Sequence, residues 1–303
     1  MVGWFDAHAV SIVDGAAFGL LYFTLAVGLS LVFGMMDVLN LAHGTLYLGG
    51  AYAAYRFADG GWTGLALALV VGLAVGVGGG ALLAALVAPL AARGRGASGA
   101  GSGGGSQGAR HLDQALLTLG VSVIGAELFL LASGDELSVP APRALSGGTT
   151  VFGHTYPTYR LVFIGVAGAL AAAVYLLLER SSLGALVRAT VADRDMVRAM
   201  GVDTRKVLFG VFAAGSALAV VGGVLGAPII GPAPGVDGHV LVMSLVVVVI
   251  GGLGSVRGAL LGALLVGQVD TLGRALLPQY AAFLLFGAMF VVLAIRPRGL
   301  VPA

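Results

Sequence analysis

The chain has 303 residues, of which 58% are hydrophobic and 10% are charged, and its mean hydropathy is +1.02. This composition excludes an ordinary soluble domain and indicates an integral membrane protein. A net charge of +2 gives no electrostatic support for a nucleic-acid partner, and the absence of cysteine excludes disulfides and thiolate chemistry.

Nine apolar segments follow one another along the chain. The longest uncharged runs reach the roughly 20 residues that a helix needs to cross the hydrocarbon core. They are continuous stretches of Leu, Val, Ala and Gly, whereas the strands of a transmembrane barrel would alternate apolar and polar residues. We therefore predict an all-α, polytopic membrane protein with eight or nine transmembrane helices. The segments cover residues 16–36, 38–57, 64–92, 114–132, 161–178, 207–235, 238–256, 258–273 and 275–295.

Basic residues predict the orientation, because cytoplasmic loops of membrane proteins are enriched in Lys and Arg. Six basic residues lie in the loop 179–206, and two lie in the C-terminal sequence RPRGL at 296–300. Both regions are predicted to be cytoplasmic, as is the Gly/Ser-rich loop 93–113, whose composition indicates a flexible connection. The N-terminus is then outside.

The number of spans depends on the region 238–273. Its glycine-rich sequence GGLGSVRG, at 251–258, fits either a tight turn between two helices or a broken, re-entrant helix. With nine spans, the N-terminus lies outside and the C-terminus in the cytoplasm, as predicted. With eight segments this holds only if one of them is re-entrant and does not cross the membrane.

Two rows of glycines at four-residue spacing lie within the predicted spans. Such spacing places small residues along one helix face, so that two helix backbones can approach closely in lipid. We predict close helix packing at both rows. They are Gly72, Gly76 and Gly80 in one row, and Gly254, Gly258 and Gly262 in the other.

Several ionisable residues fall within or at the ends of predicted spans, where a charge is costly and indicates a polar path or a buried pair. Asp14 and His239 lie near span ends, from which their side chains can reach the interface. Glu127 and Asp270 lie deeper, and both a structural and a path-lining role stay open for them. The five histidines show no metal-ligand spacing, so no metal or other cofactor is predicted.

The loop 179–206 is too polar to span the membrane and has apolar residues at helical spacing. Ser181 or Ser182 is expected to cap its start, Gly201 to end it in the left-handed conformation, and Asp203 to cap the next span. We predict a cytoplasmic helical hairpin. Its arginines suit an anionic lipid surface, but the aspartates among them favour docking to a cytoplasmic protein.

Four blocks of sequence occur in order along nearly the whole chain. NLAHGTLYLGGAY stands at 40–52, GGLGSVRGALLGALLVG at 251–267 and RPRGL at 296–300. The fourth block is the loop 179–206, through its residues Gly184, Arg188, Ala189, Asp195, Ala199, Met200 and Gly201. Together they resemble the permease subunits of ABC importers of the branched-chain amino acid type. In that family the loop is the segment that couples the permease to its ATPases.

The resemblance implies a single permease domain over residues 1–303, in the inner membrane of a bacterium and surrounded by its lipid. It also implies a homologous second permease subunit, two cytoplasmic ATP-binding subunits and an extracytoplasmic solute-binding protein. The sequence has no G-x-x-x-x-G-K-[ST] phosphate loop, and Lys206 is its only lysine. We therefore expect a non-catalytic transport subunit whose partners hydrolyse ATP.

The resemblance makes branched-chain amino acids the first candidate solutes, with urea, short amides or other small solutes as alternatives. Asn40, Thr45 and Ser244 are the lone polar groups expected to contact the solute. The motif at 40–52 also has a structural interpretation, which we favour. In it, Asn40 or His43 satisfies backbone groups where the second span begins, and Gly44 allows close packing.

Two departures from the family pattern affect these expectations. Arg257 stands where the family commonly has proline, which leaves the geometry of the turn at 251–258 open. The Gly/Ser-rich loop replaces a short basic connection.

Two other classes of function are weighed. An ion-gradient-driven secondary transporter would show paired charges at the midplane and inverted internal repeats, and the sequence shows neither convincingly. A membrane-embedded enzyme would need a compact catalytic constellation, which the sequence lacks.

Overall fold

A computed structural model describes residues 2–36, 40–96, 105–133, 137–151 and 153–301. Within these residues the chain forms eleven α-helices and one two-stranded antiparallel hairpin between α4 and α5. The elements are α1 (Val2–Met36), α2 (His43–Phe57), α3 (Trp62–Gly96), α4 (Gly105–Ser133), β1 (Gly148–Val151), β2 (His154–Pro157), α5 (Thr158–Arg180), α6 (Ser182–Ala192), α7 (Arg194–Ala199), α8 (Thr204–Gly226), α9 (Val236–Gly251), α10 (Val256–Leu276) and α11 (Ala281–Ile295).

Seven of the described helices are long and apolar enough to cross a membrane. The prediction of an all-α, polytopic membrane protein is confirmed. The other two predicted segments, at 38–57 and 238–256, correspond to α2 and α9, which have only 15 and 16 residues. At about 1.5 Å per residue these two helices are shorter than a hydrocarbon core of roughly 30 Å.

Two predicted boundaries are wrong. The segment 207–235 was expected to be one span, but α8 ends at Gly226. The three prolines that follow, Pro228, Pro232 and Pro234, cannot donate a backbone hydrogen bond and exclude a continuous helix.

The Gly/Ser-rich loop at 93–113 is also narrower than predicted, because α3 continues to Gly96 and α4 begins at Gly105. Residues 97–104 lie outside the described part of the chain.

The glycine-rich sequence at 251–258 forms a tight turn between α9 and α10. Gly252 and Gly254 have φ angles of 107° and 78°, which a side chain would strain. The two helices then run antiparallel, with Gly258 against Gly251 and Gly262 against Val247. Of the two predicted forms of this sequence, the structure has the tight turn between two helices. Gly254 lies in the turn and not in a helix, so it does not extend the packing row of Gly258 and Gly262.

The centre of the bundle is the contact between α1 and α8. A Cβ atom added at Gly28 would lie 2.7 Å from the Cα atom of Gly215, so the two helix backbones touch. Two further long helices flank this pair. α10 packs on α1 where Gly19 approaches the Ala263 carbonyl, and α3 packs on α8 through the row that contains Gly80.

The helices form two halves with the same order and opposite directions, α1–α4 and α8–α11. α1 and α8 are antiparallel, because Gly28 lies against Gly215 while Leu21, nearer the start of α1, lies against Gly226 at the end of α8. The third helix of each half packs on the first helix of the other half: α3 on α8 and α10 on α1. The sequence did not reveal this inverted arrangement.

Three parts of the chain meet at one end of the bundle. At one end, Val191 of α6 and Gly254 of the α9–α10 turn both meet Gly34 of α1. The C-terminal segment joins them there, since the Leu300 amide donates to the Ile250 carbonyl at 2.9 Å. Two regions predicted to be cytoplasmic, the loop 179–206 and the C-terminal segment, therefore lie at the same end of the bundle.

Replacing Gly80 by alanine is expected to destabilise the protein by about 1–3 kcal/mol, as overpacking does elsewhere. The new Cβ atom would lie 2.6 Å from the Phe212 carbonyl oxygen, so α3 and α8 would have to separate. Gly78→Ala is the matched control, since a Cβ atom there meets nothing within 4 Å. It should leave stability unchanged or raise it by up to about 1 kcal/mol. Thermal unfolding in detergent measures both, and equal effects would contradict the packing.

Candidate functional site

The motif at 40–52 forms the start of α2, which lies inside the bundle. Asn40 and His43 are each only 1% exposed. His43 Nε2 lies 3.1 Å from the carbonyl oxygen of Leu25 in α1. Leu25 is nine residues from Gly34, where the apolar part of α1 ends, and this corresponds to roughly 13 Å along the helix. The chain therefore reaches well into the membrane layer before α2 begins.

Backbone groups at this buried start find side-chain partners. The Ala42 amide donates to Asn40 Oδ1 at 3.2 Å, and the Leu41 amide donates to Thr118 Oγ1 of α4 at 3.2 Å. Non-helical backbone inside a membrane protein is tolerated only where such partners exist. The Asn40 side chain thus supplies an acceptor for an amide at the start of α2 that has no acceptor within the helix. Asn40 Nδ2 and His43 Nδ1 are buried and have no hydrogen-bond partner among the described residues.

Polar side chains continue from the start of α2 along the buried side of α4. Thr45 Oγ1 and Ser122 Oγ lie 2.7 Å apart, and Thr118 Oγ1 donates to the Gln114 carbonyl at 3.1 Å. The rings of Tyr52 and Phe129 stack further along the same two helices, with centroids 5.2 Å apart. α2 and α4 therefore run side by side in the same direction.

The start of α2 also meets the start of α9. Gly44 packs directly on the backbone of Asp237, at a distance that leaves no room for a side chain. Ser244, the remaining predicted solute contact, lies fully buried on α9, and its hydroxyl donates to the Val240 carbonyl at 2.7 Å within the same helix. The structure thus brings Asn40, His43, Gly44 and Thr45 together, while Ser244 is bonded within another helix.

The ionisable residues within the spans have different surroundings. Asp14 Oδ1 accepts from Arg160 Nη1 at 2.7 Å and from the Tyr156 hydroxyl at 2.5 Å, which ties the hairpin and α5 to α1. Burial, followed by the hydrogen bond to Asp14, raises the pKa of the Tyr156 phenol and keeps it protonated as a donor. Asp270 accepts from Arg274 Nε at 2.9 Å within α10.

The loop 179–206 forms two short helices, α6 and α7, one on either side of Asp193. Ser181 caps α6 by accepting from the Gly184 amide at 2.9 Å. Asp193 interrupts the helix and caps α7 by accepting from the Met196 amide at 2.9 Å. As predicted, Gly201 has a positive φ, of 86°, and Asp203 caps α8. Local capping rules therefore anticipated both ends of the loop but missed Asp193.

The α6–α7 segment presents an exposed surface. Gly184 is buried, and its backbone packs on the carbonyl groups of Leu177 and Leu178 at the end of α5. The other residues matched to the coupling segment are exposed: Arg188, Ala189, Asp195, Ala199, Met200 and Gly201. Met200 among them, and Leu183 and Met196 beside them, expose large apolar side chains.

Arg257, at a position where the family commonly has proline, links the start of α10 to the end of α5. Its Nη2 atom lies 3.3 Å from Glu179 Oε2, and its guanidinium lies 5.6 Å from the centre of the Tyr175 ring. Proline is not needed for the turn, because Ser255 caps α10 by accepting from the Gly258 amide at 3.1 Å. The sequence motif gave no signal for this ion pair between distant elements.

Comparisons with known proteins give one consistent family. The model of the family described as "Branched-chain amino acid transport system / permease component" matches residues 11–294. The chain is 29% identical over 298 residues to the high-affinity branched-chain amino acid transport system permease protein BraD of Pseudomonas aeruginosa, covering 95% of this chain and 94% of that protein. It is 26% identical over 296 residues to the permease protein LivH of Escherichia coli K12, covering 95% and 93%.

A solved structure is also similar over most of its length. It is described as PsaBC from Streptococcus pneumoniae in complex with Fab, with 12% identity and a TM-score of 0.48 over 98% of this chain and 97% of that chain.

Removing the Asn40 side chain is expected to destabilise the start of α2. Asn40→Ala leaves the buried Ala42 amide without its acceptor, which costs about 1–3 kcal/mol for a buried donor. Asn40→Ser keeps a hydroxyl that can accept from the amide two residues on, so its loss should be smaller. Thermal unfolding of both variants in detergent tests this order, and wild-type stability of Asn40→Ala would contradict it.

Proposed function

This chain belongs to the family of permease components of branched-chain amino acid transport systems, and from that membership we propose that it forms the solute path of an ATP-driven importer in a bacterial inner membrane. The family and the apolar helices make it a multi-pass ABC transporter permease that is not itself an enzyme. Import and its coupling to ATP hydrolysis are what we propose for it. The observation that carries it is the capped, exposed α6–α7 segment between two membrane helices.

The proposed assembly contains this chain, a homologous second permease subunit, two cytoplasmic ATP-binding subunits and an extracytoplasmic solute-binding protein. The relatives named BraD and LivH support the permease role, since each is described as a permease protein of such a transport system. The lack of a phosphate-binding loop in this chain requires that the ATP-binding subunits be separate chains. The N-terminus is proposed to be outside and the C-terminus cytoplasmic.

The surface of α6 and α7 is suited to a cytoplasmic protein partner. Its exposed apolar side chains, including Leu183 and Met200, would be costly in water and lie among charged residues of both signs. Mixed charge favours a protein over an anionic lipid surface, which would repel Asp193 and Asp195. We propose that the ATP-binding subunits dock here.

Contacts of α6 offer a mechanical route into the membrane. Gly184 holds the start of α6 against the end of α5, and Val191 near its end packs on Gly34 of α1. Gly34 in turn contacts Gly254 in the α9–α10 turn. A displacement of α6 by an ATPase would therefore act on α1 and on the turn of the second half at the same point, as alternating access requires.

Branched-chain amino acids are the proposed solutes, because the matched family and the relatives are described by them. Urea, short amides and other small solutes are the alternatives within the same class of transporter. The buried positions of Asn40 and His43 suit a structural role at the start of α2, so the solute-binding protein is proposed to supply most of the selectivity.

A gradient-driven secondary transporter was the alternative from another class, and inverted repeats were its expected mark. The two halves of this chain are inverted, yet the chain belongs to a permease family, so this feature does not separate the two classes. Asp270 is already paired with Arg274 inside its own helix. The dependence on ATP separates them directly.

The proposed function is tested by co-purification and reconstitution of the complex in vesicles. We expect ATP-binding subunits to co-purify with this chain, and uptake of a branched-chain amino acid to need ATP and the solute-binding protein. Uptake by this chain alone, driven by an ion gradient and indifferent to ATP, would disprove the importer.

Gly201→Val should uncouple ATP hydrolysis from uptake or release the ATP-binding subunits, while the protein still inserts in the membrane. Valine is strained at the positive φ of this residue, so the joint between α7 and α8 must change shape. Gly153→Val is the matched control, because Gly153 has a φ of 77° and equal free space but lies in the hairpin between α4 and α5. It should keep coupled uptake, and uptake at the wild-type rate in Gly201→Val would contradict the coupling role.

A further inference from the structure

A cleft lies between α5 and α8, two of the helices that are long and apolar enough to cross the membrane. Both helices pack on α1. They meet each other where α5 starts and α8 ends, because the Tyr159 hydroxyl donates to the Leu225 carbonyl at 2.7 Å. At the opposite end, α6 packs on both of them. Between these two contacts the helices leave an open cleft of about 420 Å³.

The walls of this cleft are apolar. α1 contributes Leu31, α5 contributes Leu178 and α6 contributes Val187. α8 contributes Gly210 and Ala214, which are exposed, and a Cβ atom added at Gly210 would meet nothing within 4 Å. A polar solute would lose its hydrogen bonds to water here without gaining others, so the cleft is suited to a hydrocarbon.

The length of the cleft matches one leaflet of a bilayer. Along α8 it extends from Lys206 to Leu218, which corresponds to about 18 Å at 1.5 Å per residue. Half of a hydrocarbon core that is about 30 Å thick measures about 15 Å. Since α8 begins at Thr204 and ends at Gly226, the cleft starts near one membrane surface and ends just past the middle of the span.

The width of the cleft excludes a helix as its occupant. A volume of about 420 Å³ over a length of about 18 Å gives a mean cross-section of about 23 Å². An α-helix about 10 Å across with its side chains has a cross-section of about 80 Å². The cleft is therefore too thin for a helix of a second permease subunit, whereas an extended hydrocarbon chain is thin enough to enter it.

Positive charge lies at the mouth of the cleft. Lys206, the only lysine of the chain, borders the cleft, and its side chain is 86% exposed. Its ion-pair partner among the described residues, Asp203, is 3.9 Å away and also exposed, so this pair is weak. Arg180 and Arg205 are exposed at the same ends of α5 and α8. An ammonium group on a flexible stem can reach an anionic headgroup from this position.

We propose that this cleft binds one acyl chain of an anionic phospholipid and that Lys206 contacts the headgroup of that lipid. The cytoplasmic leaflet is the source of the lipid if the proposed orientation holds, and anionic lipids there are attracted to basic residues beside a span. Leu186 and Val187 of α6 line the cleft, so the bound chain packs directly beside the coupling segment. Asp193 and Asp195, which disfavour an anionic lipid surface, do not line it.

The acyl-chain site is tested by filling the cleft. Gly210→Phe places a ring in it, and the open space at Gly210 allows the variant to fold. Gly165→Phe is the matched control, because Gly165 is equally exposed and open on α5 but does not line the cleft. The full-length proteins, with their co-purifying subunits, are titrated in mild detergent with phosphatidylglycerol, and bound lipids are counted by native mass spectrometry.

We expect wild type and Gly165→Phe to show one tight lipid site, and Gly210→Phe to raise the dissociation constant of that site tenfold or more. An unchanged tight site in Gly210→Phe would overturn the proposal. Loss of a co-purifying subunit from this variant, with lipid binding unchanged, would also overturn it, because the cleft would then be a protein interface.

Contact with the headgroup is tested at Lys206, whose exposed side chain can be changed without disturbing the fold. Lys206→Gln should weaken phosphatidylglycerol binding about fivefold and leave phosphatidylcholine binding unchanged, as expected for one basic residue beside an anionic lipid. Lys206→Arg, which keeps the charge, should bind like wild type. Equal phosphatidylglycerol binding in wild type and Lys206→Gln would overturn the headgroup contact. Binding is measured without ATP or solute, so a failure of the proposed importer function is distinguishable from a failure of this site.

Discussion

The contact of two backbones at Gly28 and Gly215 is the constraint on which the rest of the bundle depends. In lipid, helices gain little from burying apolar side chains, so their association relies on close packing of small residues. A side chain at Gly28 would collide with the backbone of α8, and the pair would separate. Because α3 and α10 pack on the outer sides of this pair through further glycines, their positions follow from it.

The short helices α2 and α9 follow from the packing of the long ones. Gly50 meets the backbone of Val220, and Gly223 meets the backbone of Tyr47, so α2 lies against the middle of α8. A chain segment in this place begins its helix below the membrane surface and must satisfy its first amide groups there. Asn40 and Thr118 do so. The polarity of the motif is thus a consequence of where α2 begins.

Features that depend on neighbouring residues alone, such as apolar spans and helix caps, were predicted correctly from the sequence. Long apolar runs identified the spans, and Ser181, Gly201 and Asp203 identified the two ends of the α6–α7 segment. The sequence placed Asn40 near the start of the second span, but the predicted segment began at residue 38, whereas α2 begins at His43. Composition could not reveal that this start lies buried among other helices. The Leu25 carbonyl that pairs with His43 is 18 residues away, and no spacing rule links the two. The corresponding helices of the two halves run in opposite directions, and the sequence alone did not reveal this relation.

The same packing determines how a displacement of α6 would act on the helices in the proposed transporter. α6 contacts α1 at Gly34 and also packs on α8. The backbones of α1, α3, α8 and α10 approach closely at their glycines. A push on α6 therefore moves the central helices together more easily than it separates them. In the proposed transporter, relative motion must then occur where packing is least close. α4 is such a place, since it touches the centre through the side chains of Thr45, Ser122, Tyr52 and Phe129 and leaves its other side exposed.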